Sequence, residues 1–319
     1  MPKIVVLDGY ALNPGDLSWS ALEAFGEVVV YDRTTPNEIL SRASGATMLL
    51  VNKCPLNKDS IKQLPELRYI GVTATGYNNI DLIATQAQGI TVCNTVGYST
   101  HSVAQHVFAL LFALTNRIES HHQSVLQGDW RNCLDFCYTL SPTIELAGKT
   151  IGIYGFGKIG QKVADIALAM DMQVLATHKH PERDARPNVQ FVSLETLFQE
   201  SDAITLHAPL SAENHQIVNQ FLLRKMKPSA YLINTGRGQL IDEADLKAAL
   251  EAGVLAGAGL DVLSVEPPKE NNMLIGVKNC LITPHIAWAT TAARARLMKI
   301  VTDNVEAFLS GQPQNVVTH

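Results

Sequence analysis

The sequence lacks a paired-cysteine motif, a long apolar run and any surplus of positive charge. Its five cysteines (Cys54, Cys93, Cys133, Cys137 and Cys280) are odd in number and scattered, with no CxxC among them. That excludes a zinc-ribbon spacing and a disulfide framework, and it suits free thiols in a reducing compartment. Lys and Arg total 25 against 30 Asp and Glu, for a net charge of -5. Without a basic excess to neutralise a phosphate backbone, nucleic acid is not an expected partner. The most apolar helical stretch, Val103 to Leu114, is interrupted by Gln105 and His106 and is far shorter than a membrane span. The opening MPKIVVLDGY has an apolar run too brief for a signal-peptide core and reads as a first β-strand. Repeats, low-complexity segments and metal-ligand spacings are also missing. The expectation is a soluble cytoplasmic protein with no membrane, nucleic-acid or metal partner.

What is present is ample core material. Hydrophobic residues make up 46% of the 319 residues and charged residues 17%. This is enough to offset the entropy of folding, and the length suggests about two domains. Short apolar runs alternate with helical patterns along the chain. A first series of five covers Ile4–Leu7, Val28–Tyr31, Thr47–Val51, Tyr69–Val72 and Thr91–Cys93. A second series of six covers Thr150–Tyr154, Gln173–Ala176, Ala203–Leu206, Tyr231–Asn234, Ala256–Asp261 and Cys280–Thr283. Continuous apolar strands alternating with helices predict an α/β fold with two parallel sheets, each covered on both faces. Ser99–Asn116 reads as one long apolar helix, followed by a polar stretch, Arg117–Arg131. A last helical pattern, Ala292–Leu309, follows the second sheet, and periodicity leaves open whether it returns to the first unit.

The segment TIGIYGFGKIG, residues 150–160, is a strand, a glycine turn and a helix start. Gly155 permits the tight turn, Gly157 lets backbone approach a pyrophosphate, and Gly160 allows helix to pack closely on strand. The helix N-terminus beyond offers unpaired N–H groups to phosphate. A lone G-x-G-x-x-G is weak, but here a buried strand precedes it and an amphipathic helix and second strand follow. The pattern points to a dinucleotide, NAD or NADP. A carboxylate expected about 20 residues on, to bond the ribose hydroxyls, is missing. His178 stands there, followed by Lys179. Either the two favour a 2′-phosphate or they form a solvated loop, so the cofactor stays open.

Three strand ends in the second series carry groups without an obvious structural purpose. Arg237 lies between Gly236 and Gly238, Glu266 precedes Pro267 and Pro268, and His285 follows Pro284. Taken singly, each is ordinarily a turn arginine in an ion pair, a surface-loop acid or a structural histidine. Together they lie at the carboxyl ends of parallel strands, where open α/β sheets bind ligands. They suit hydride exchange between a nicotinamide and a 2-hydroxy acid. A histidine moves the hydroxyl proton, a carboxylate fixes its tautomer, and an arginine fork anchors the substrate carboxylate.

At this point the chain resembles the D-isomer-specific 2-hydroxyacid dehydrogenases. The likeness rests on TATGYNNIDL at 73–82, STHSVAQHVFALL at 99–111, GKTIGIYGFGKIG at 148–160 and HAPL at 207–210. It continues through NTGRGQLID at 234–242, GLDVLSVEPP at 259–268 and TPHIAWAT at 283–290. The resemblance implies two Rossmann-like domains, the cofactor domain (101–289) inserted in a flavodoxin-like substrate domain (1–100 and 290–319). It implies that Arg237 binds and polarises substrate, Glu266 tunes the histidine, and His285 donates the proton. Cofactor contacts would come from Thr75, Gly155, Gly157, Lys158, Ile159, Gly160, His178, Lys179, Ala208, Thr235, Gly236, Asp261 and His285. Substrate contacts would come from Asn52, Lys53, Thr75, Gly76, Arg237 and Trp288. For Lys53 a solvated lysine, and for Trp288 a packing aromatic, remain the alternatives. Two departures from the family pattern are His178 in place of the usual acid and Gln105 in place of a more typical Glu. HIAWAT and the segment Cys133–Tyr138 most resemble glycerate dehydrogenases, also called hydroxypyruvate (glyoxylate) reductases. The resemblance also implies a homodimer joined through the 100–140 region. An NAD(H)-sensing corepressor-like binding protein of the same fold is the alternative.

Overall fold

A computed structural model describes residues 1–317; Thr318 and His319, the end of the expected 290–319 segment, lie outside the described residues. The chain divides into two compact units, one of Met1–Ser99 with the residues from Trp288 onward, the other of Thr100–Ala287. Trp288 and Ala289 therefore group with the first unit, two residues ahead of the expected return at 290.

The first unit contains β1 (Lys3–Val6), β2 (Glu27–Val30), β3 (Met48–Val51), β4 (Tyr69–Val72) and β5 (Thr91–Cys93). They form one parallel sheet in the order β2-β1-β3-β4-β5. This is the flavodoxin-like order, whose strand sequence reverses between β1 and β3. β3 and β4 are buried at every position, as expected of strands covered on both faces. The helix Thr291–Leu309, capped by the Thr290 hydroxyl on the Ala293 N–H, lays Leu297, Val301 and Val305 against Ile4, Met48 and Tyr69. It is anchored by Arg294, whose two Nη atoms each donate to Asp16 at 2.6 Å. The last helical pattern thus belongs to the first unit, the point periodicity left open.

The second unit contains β6 (Thr150–Tyr154), β7 (Gln173–Thr177), β8 (Val189–Phe191), β9 (Ala203–Leu206), β10 (Tyr231–Asn234), β11 (Gly257–Leu260) and β12 (Cys280–Ile282). All pair in parallel, in the order β12-β11-β10-β9-β6-β7-β8. Counting from β6, this is the doubly wound 3-2-1-4-5-6 order with one strand added, and it reverses between β6 and β9. The sheet has seven strands where six were expected. β8 escaped because its three residues, Val-Gln-Phe, are at best half-buried on the sheet edge and show no apolar run. The stretch read only as polar after residue 116 contains a second helix, Ile118–Gln127. Arg117, in left-handed geometry at φ 49°, separates it from Thr100–Asn116. The long helix buries Leu110, Leu111 and Leu114 against Ile151, Ile153 and Val163 of the same unit.

Candidate functional site

The glycine turn sits at the reversal point of the second sheet. Gly155 has φ +94°, and a Cβ on it would come within 2.4 Å of the Ala208 nitrogen, so only glycine lets the turn lie against the end of β9. A Cβ on Gly160 would meet the Gly155 carbonyl at 2.3 Å. Gly157 is different: a Cβ there meets nothing within 4 Å. The absent side chain leaves open space at the N-cap of the helix Lys158–Ala169, whose first N–H groups no side chain caps. Lys158 is exposed beside this opening, while Ile159 packs toward the core. At the end of β10, Thr235 is buried with a hydroxyl that has no partner among the described residues. Gly236 lies close to the Leu206 carbonyl, 3.1 Å from the position of its would-be Cβ. His207, bonded through Nε2 to the Thr205 hydroxyl at 2.8 Å, is pushed down to about 3 by burial and is therefore neutral at working pH. An open phosphate cradle at an uncapped helix start, with an orphaned hydroxyl at the end of β10 in the same sheet, fits a dinucleotide.

His178 follows β7 directly. Its Nδ1 accepts from the Phe156 N–H at 3.1 Å, inside the glycine turn, and its Nε2 lies 2.9 Å from Asp184 Oδ2. Lys179 is exposed.

Arg237, Glu266 and His285 lie on the loops after β10, β11 and β12. Glu266 Oε2 lies 2.7 Å from His285 Nδ1, and its Oε1 accepts from the Leu263 N–H at 3.0 Å. The acid is thus oriented at both oxygens, and with Nδ1–H given to Glu266 the histidine keeps Nε2 for a second partner. The His285 backbone has φ 53°, an uncommon conformation for a non-glycine residue. It is held there by N–H bonds at 2.9 Å to the Asp261 and Thr283 carbonyls. The Arg237 loop is fixed separately. Asn234 Nδ2 donates to the Arg237 carbonyl at 2.9 Å, and Asn234 Oδ1 accepts from the Gly236 N–H at 3.0 Å. A Cβ on Gly238 would sit 1.9 Å from the Leu263 carbonyl carbon, so the Arg237 and Glu266 loops touch through a position that admits only glycine. Arg237 Nη1 donates to the Gly236 carbonyl at 2.8 Å, and no ion pair holds the guanidinium among the described residues. The ordinary reading of a turn arginine in an ion pair does not apply.

Asn52, Lys53, Thr75, Gly76 and Trp288 belong to the first unit. Asn52 is buried, its Nδ2 donating to the Thr73 carbonyl at 2.9 Å, whereas Lys53 is exposed. Thr75 donates its hydroxyl to the Thr95 carbonyl at 2.9 Å, and Gly76 is half-buried. Trp288 stacks edge-on to Tyr98, ring centroids 6.3 Å apart, within the first unit's core, which supports its reading as a packing aromatic.

Sequence reasoning missed three residues and did not foresee the bonds of a fourth. Asp8, at the end of β1, accepts from the backbone N–H groups of Asn52 (2.7 Å), Lys53 (2.6 Å) and Cys54 (2.9 Å). Asp184 has the contacts described above. His106, on the helix Thr100–Asn116, bonds the Thr283 hydroxyl at 2.9 Å. Asp261, expected to line the cofactor cleft, is buried and spends its carboxylate on the His285 loop. Oδ1 accepts from the Thr283 hydroxyl (2.6 Å) and the Ile286 N–H (2.8 Å), and Oδ2 from the Ala287 N–H (2.8 Å). An aspartate just past a strand was the only available signal for Asp8.

Comparison with known proteins gives consistent matches. Residues 108–287 match the family described as D-isomer specific 2-hydroxyacid dehydrogenase, NAD binding domain. The chain is 47% identical over 320 residues to a hydroxypyruvate reductase of Blautia hydrogenotrophica, covering 99% of each. It is 43% identical over 318 residues to a glycerate dehydrogenase of Methylorubrum extorquens, covering 99% of this chain and 98% of the relative. Among solved structures, an NADPH-dependent glyoxylate/hydroxypyruvate reductase from Sinorhizobium meliloti superposes with a TM-score of 0.85 at 27% identity, covering 99% of this chain and 98% of that one. None of these matches supports the corepressor-like alternative.

Proposed function

The chain belongs to the D-isomer-specific 2-hydroxyacid dehydrogenase family, and from that premise we propose that it reduces hydroxypyruvate or glyoxylate and oxidises D-glycerate with NAD(P). The observation that carries this reading is the Glu266–His285 pair at 2.7 Å, one loop away from an arginine with no ion pair among the described residues. The nicotinamide, when bound, supplies or accepts the hydride. The pyrophosphate would be held by Gly155, Gly157, Lys158, Ile159 and Gly160 at the uncapped helix start. Ala208, Thr235 and Gly236 would line the cofactor cleft, with His178 and Lys179 toward the ribose and Thr75 toward the nicotinamide.

The remaining chemistry falls to side chains. Arg237 presents its fork to the substrate carboxylate and polarises the keto oxygen. His285 donates a proton from Nε2 to that oxygen in reduction and removes it in oxidation, while Glu266 keeps Nδ1–H in place and stabilises the imidazolium. Asp261 is a positioning residue that holds the His285 loop. Asn52, Lys53, Thr75 and Gly76 would meet substrate from the first unit, which serves as the substrate domain, while Thr100–Ala287 serves as the cofactor domain.

The protein works in the cytoplasm as a homodimer. Its five cysteines are all unpaired, as suits a reducing compartment. Ile118, Leu126, Trp130, Leu134 and Phe136 form an exposed apolar run that a second copy would cover.

A steady-state assay tests the function: NADH or NADPH should be oxidised with hydroxypyruvate or glyoxylate. Oxidation with none of several small 2-keto acids would overturn the proposal. Gly157→Ala separates binding from folding, because its methyl enters the open cradle and meets nothing within 4 Å beyond its chain neighbours. It should leave the melting temperature unchanged and weaken NADH binding by about tenfold or more, read by fluorescence titration. Equal affinity would show that the cradle does not hold the pyrophosphate.

A further inference from the structure

We propose that Asp184, a residue outside the strand end, sets the choice between the two nicotinamide cofactors and favours NAD(H) over NADP(H). The proposal rests on the cofactor reading above and deepens it. His178, where a ribose-binding acid belongs, is not free to act as one. Its Nδ1 is committed to the Phe156 N–H, so Nε2 carries the ring proton and donates it to Asp184 Oδ2 at 2.9 Å. A second link ties the same carboxylate to the glycine turn: Gln161 Nε2 lies 3.2 Å from the Phe156 carbonyl and 3.4 Å from Asp184 Oδ1. Both paths end on Phe156. The acid missing from the strand is therefore delivered by the following loop, six residues later, to the edge of the turn.

The two oxygens of Asp184 are used unequally. Oδ2 also takes Arg183 through Nε at 2.9 Å and Nη2 at 2.6 Å. Among the described residues Oδ1 has only the long contact to Gln161, and it keeps its capacity to accept. The Arg183 guanidinium, with the His178 bond, holds the Asp184 carboxyl below the usual carboxylate range, so it is charged at neutral pH. A ribose 2′-hydroxyl donates to such an oxygen. A 2′-phosphate brought to the same place meets a like charge, and the arginine that would bind it is already paired. Arg183 is largely exposed, so neutralising Asp184 would release a guanidinium for the phosphate.

The test is equilibrium binding, which needs no turnover. Wild-type protein, Asp184→Asn and the double variant Arg183→Ala/Asp184→Asn are titrated with NADH and NADPH by fluorescence, and with 5′-AMP and 2′,5′-ADP by calorimetry. Wild type should bind NADH about tenfold or more tightly than NADPH. Asp184→Asn, which keeps the shape and the His178 contact, should move that ratio toward NADPH by about tenfold or more. Removing Arg183 as well should abolish the gain without affecting NADH. Asp184→Ser, which also removes the charge, must shift the ratio in the same direction. A wild type that prefers NADPH, or a ratio that Asp184→Asn leaves unchanged, overturns the assignment while leaving the cofactor reading intact. Binding of neither nucleotide overturns the cofactor reading, and this assignment with it.

Discussion

His285→Ala is expected to lower kcat at least about a hundredfold, the low end for losing a general acid. The ring's two nitrogens have separate jobs: Nδ1 is held by Glu266, and Nε2 is the proton donor. No other side chain in the Arg237–Glu266–His285 group can take its place, because a guanidinium offers hydrogen bonds and charge but is not a general acid. The backbone does not depend on the ring. Asp261 secures the loop through its carbonyl to the His285 N–H and its carboxylate to Ile286 and Ala287. The position has φ 53°, which strains alanine, so His285→Asn, a residue that tolerates left-handed geometry, serves as the second variant. Both should retain the wild-type melting temperature closely enough to be assayed, and both should be nearly inactive. Near-normal turnover in either would remove His285 from the mechanism.

Arg237→Lys is expected to raise KM for the keto acid and lower kcat together, for a loss of about a hundredfold in kcat/KM. Lysine keeps the charge but loses the planar fork, so a carboxylate and an adjacent keto oxygen can no longer be engaged together. The loop should survive the change, because Asn234 bonds its backbone on both sides and Gly238 packs it against Leu263. NADH affinity measured alone should stay as in wild type. An unchanged KM would show that the guanidinium does not hold the substrate carboxylate.

The fold was legible where burial is two-sided. β3, β4, β9 and β10 are buried throughout, and their apolar runs mark them without ambiguity. β8 was invisible because an edge strand of three half-exposed residues needs no apolar pattern. The Arg237, Glu266 and His285 positions could be read because each lies on the loop after a strand that the periodicity already defined. Asp184 could not. Its position depends on how a loop of mixed charge folds back on the glycine turn, and no spacing rule encodes that. The Asp261 carboxylate shows the same difficulty. No spacing rule announces that its carboxylate also holds the chain's own Thr283, Ile286 and Ala287. His106 meets Thr283 across 177 residues of sequence, a pairing that only the folded chain creates.

Both sheets reverse their strand order once, and each reversal makes a crevice of the kind that takes an anion on backbone N–H groups. The one between β6 and β9 is open at Gly157. The one between β1 and β3 carries its anion within the chain, because Asp8 occupies the N–H groups of Asn52, Lys53 and Cys54. The first crevice is thus self-ligated. A phosphate would meet N–H groups already taken there, so the covalently tethered carboxylate at residue 8 distinguishes the two crevices without any difference in sheet architecture.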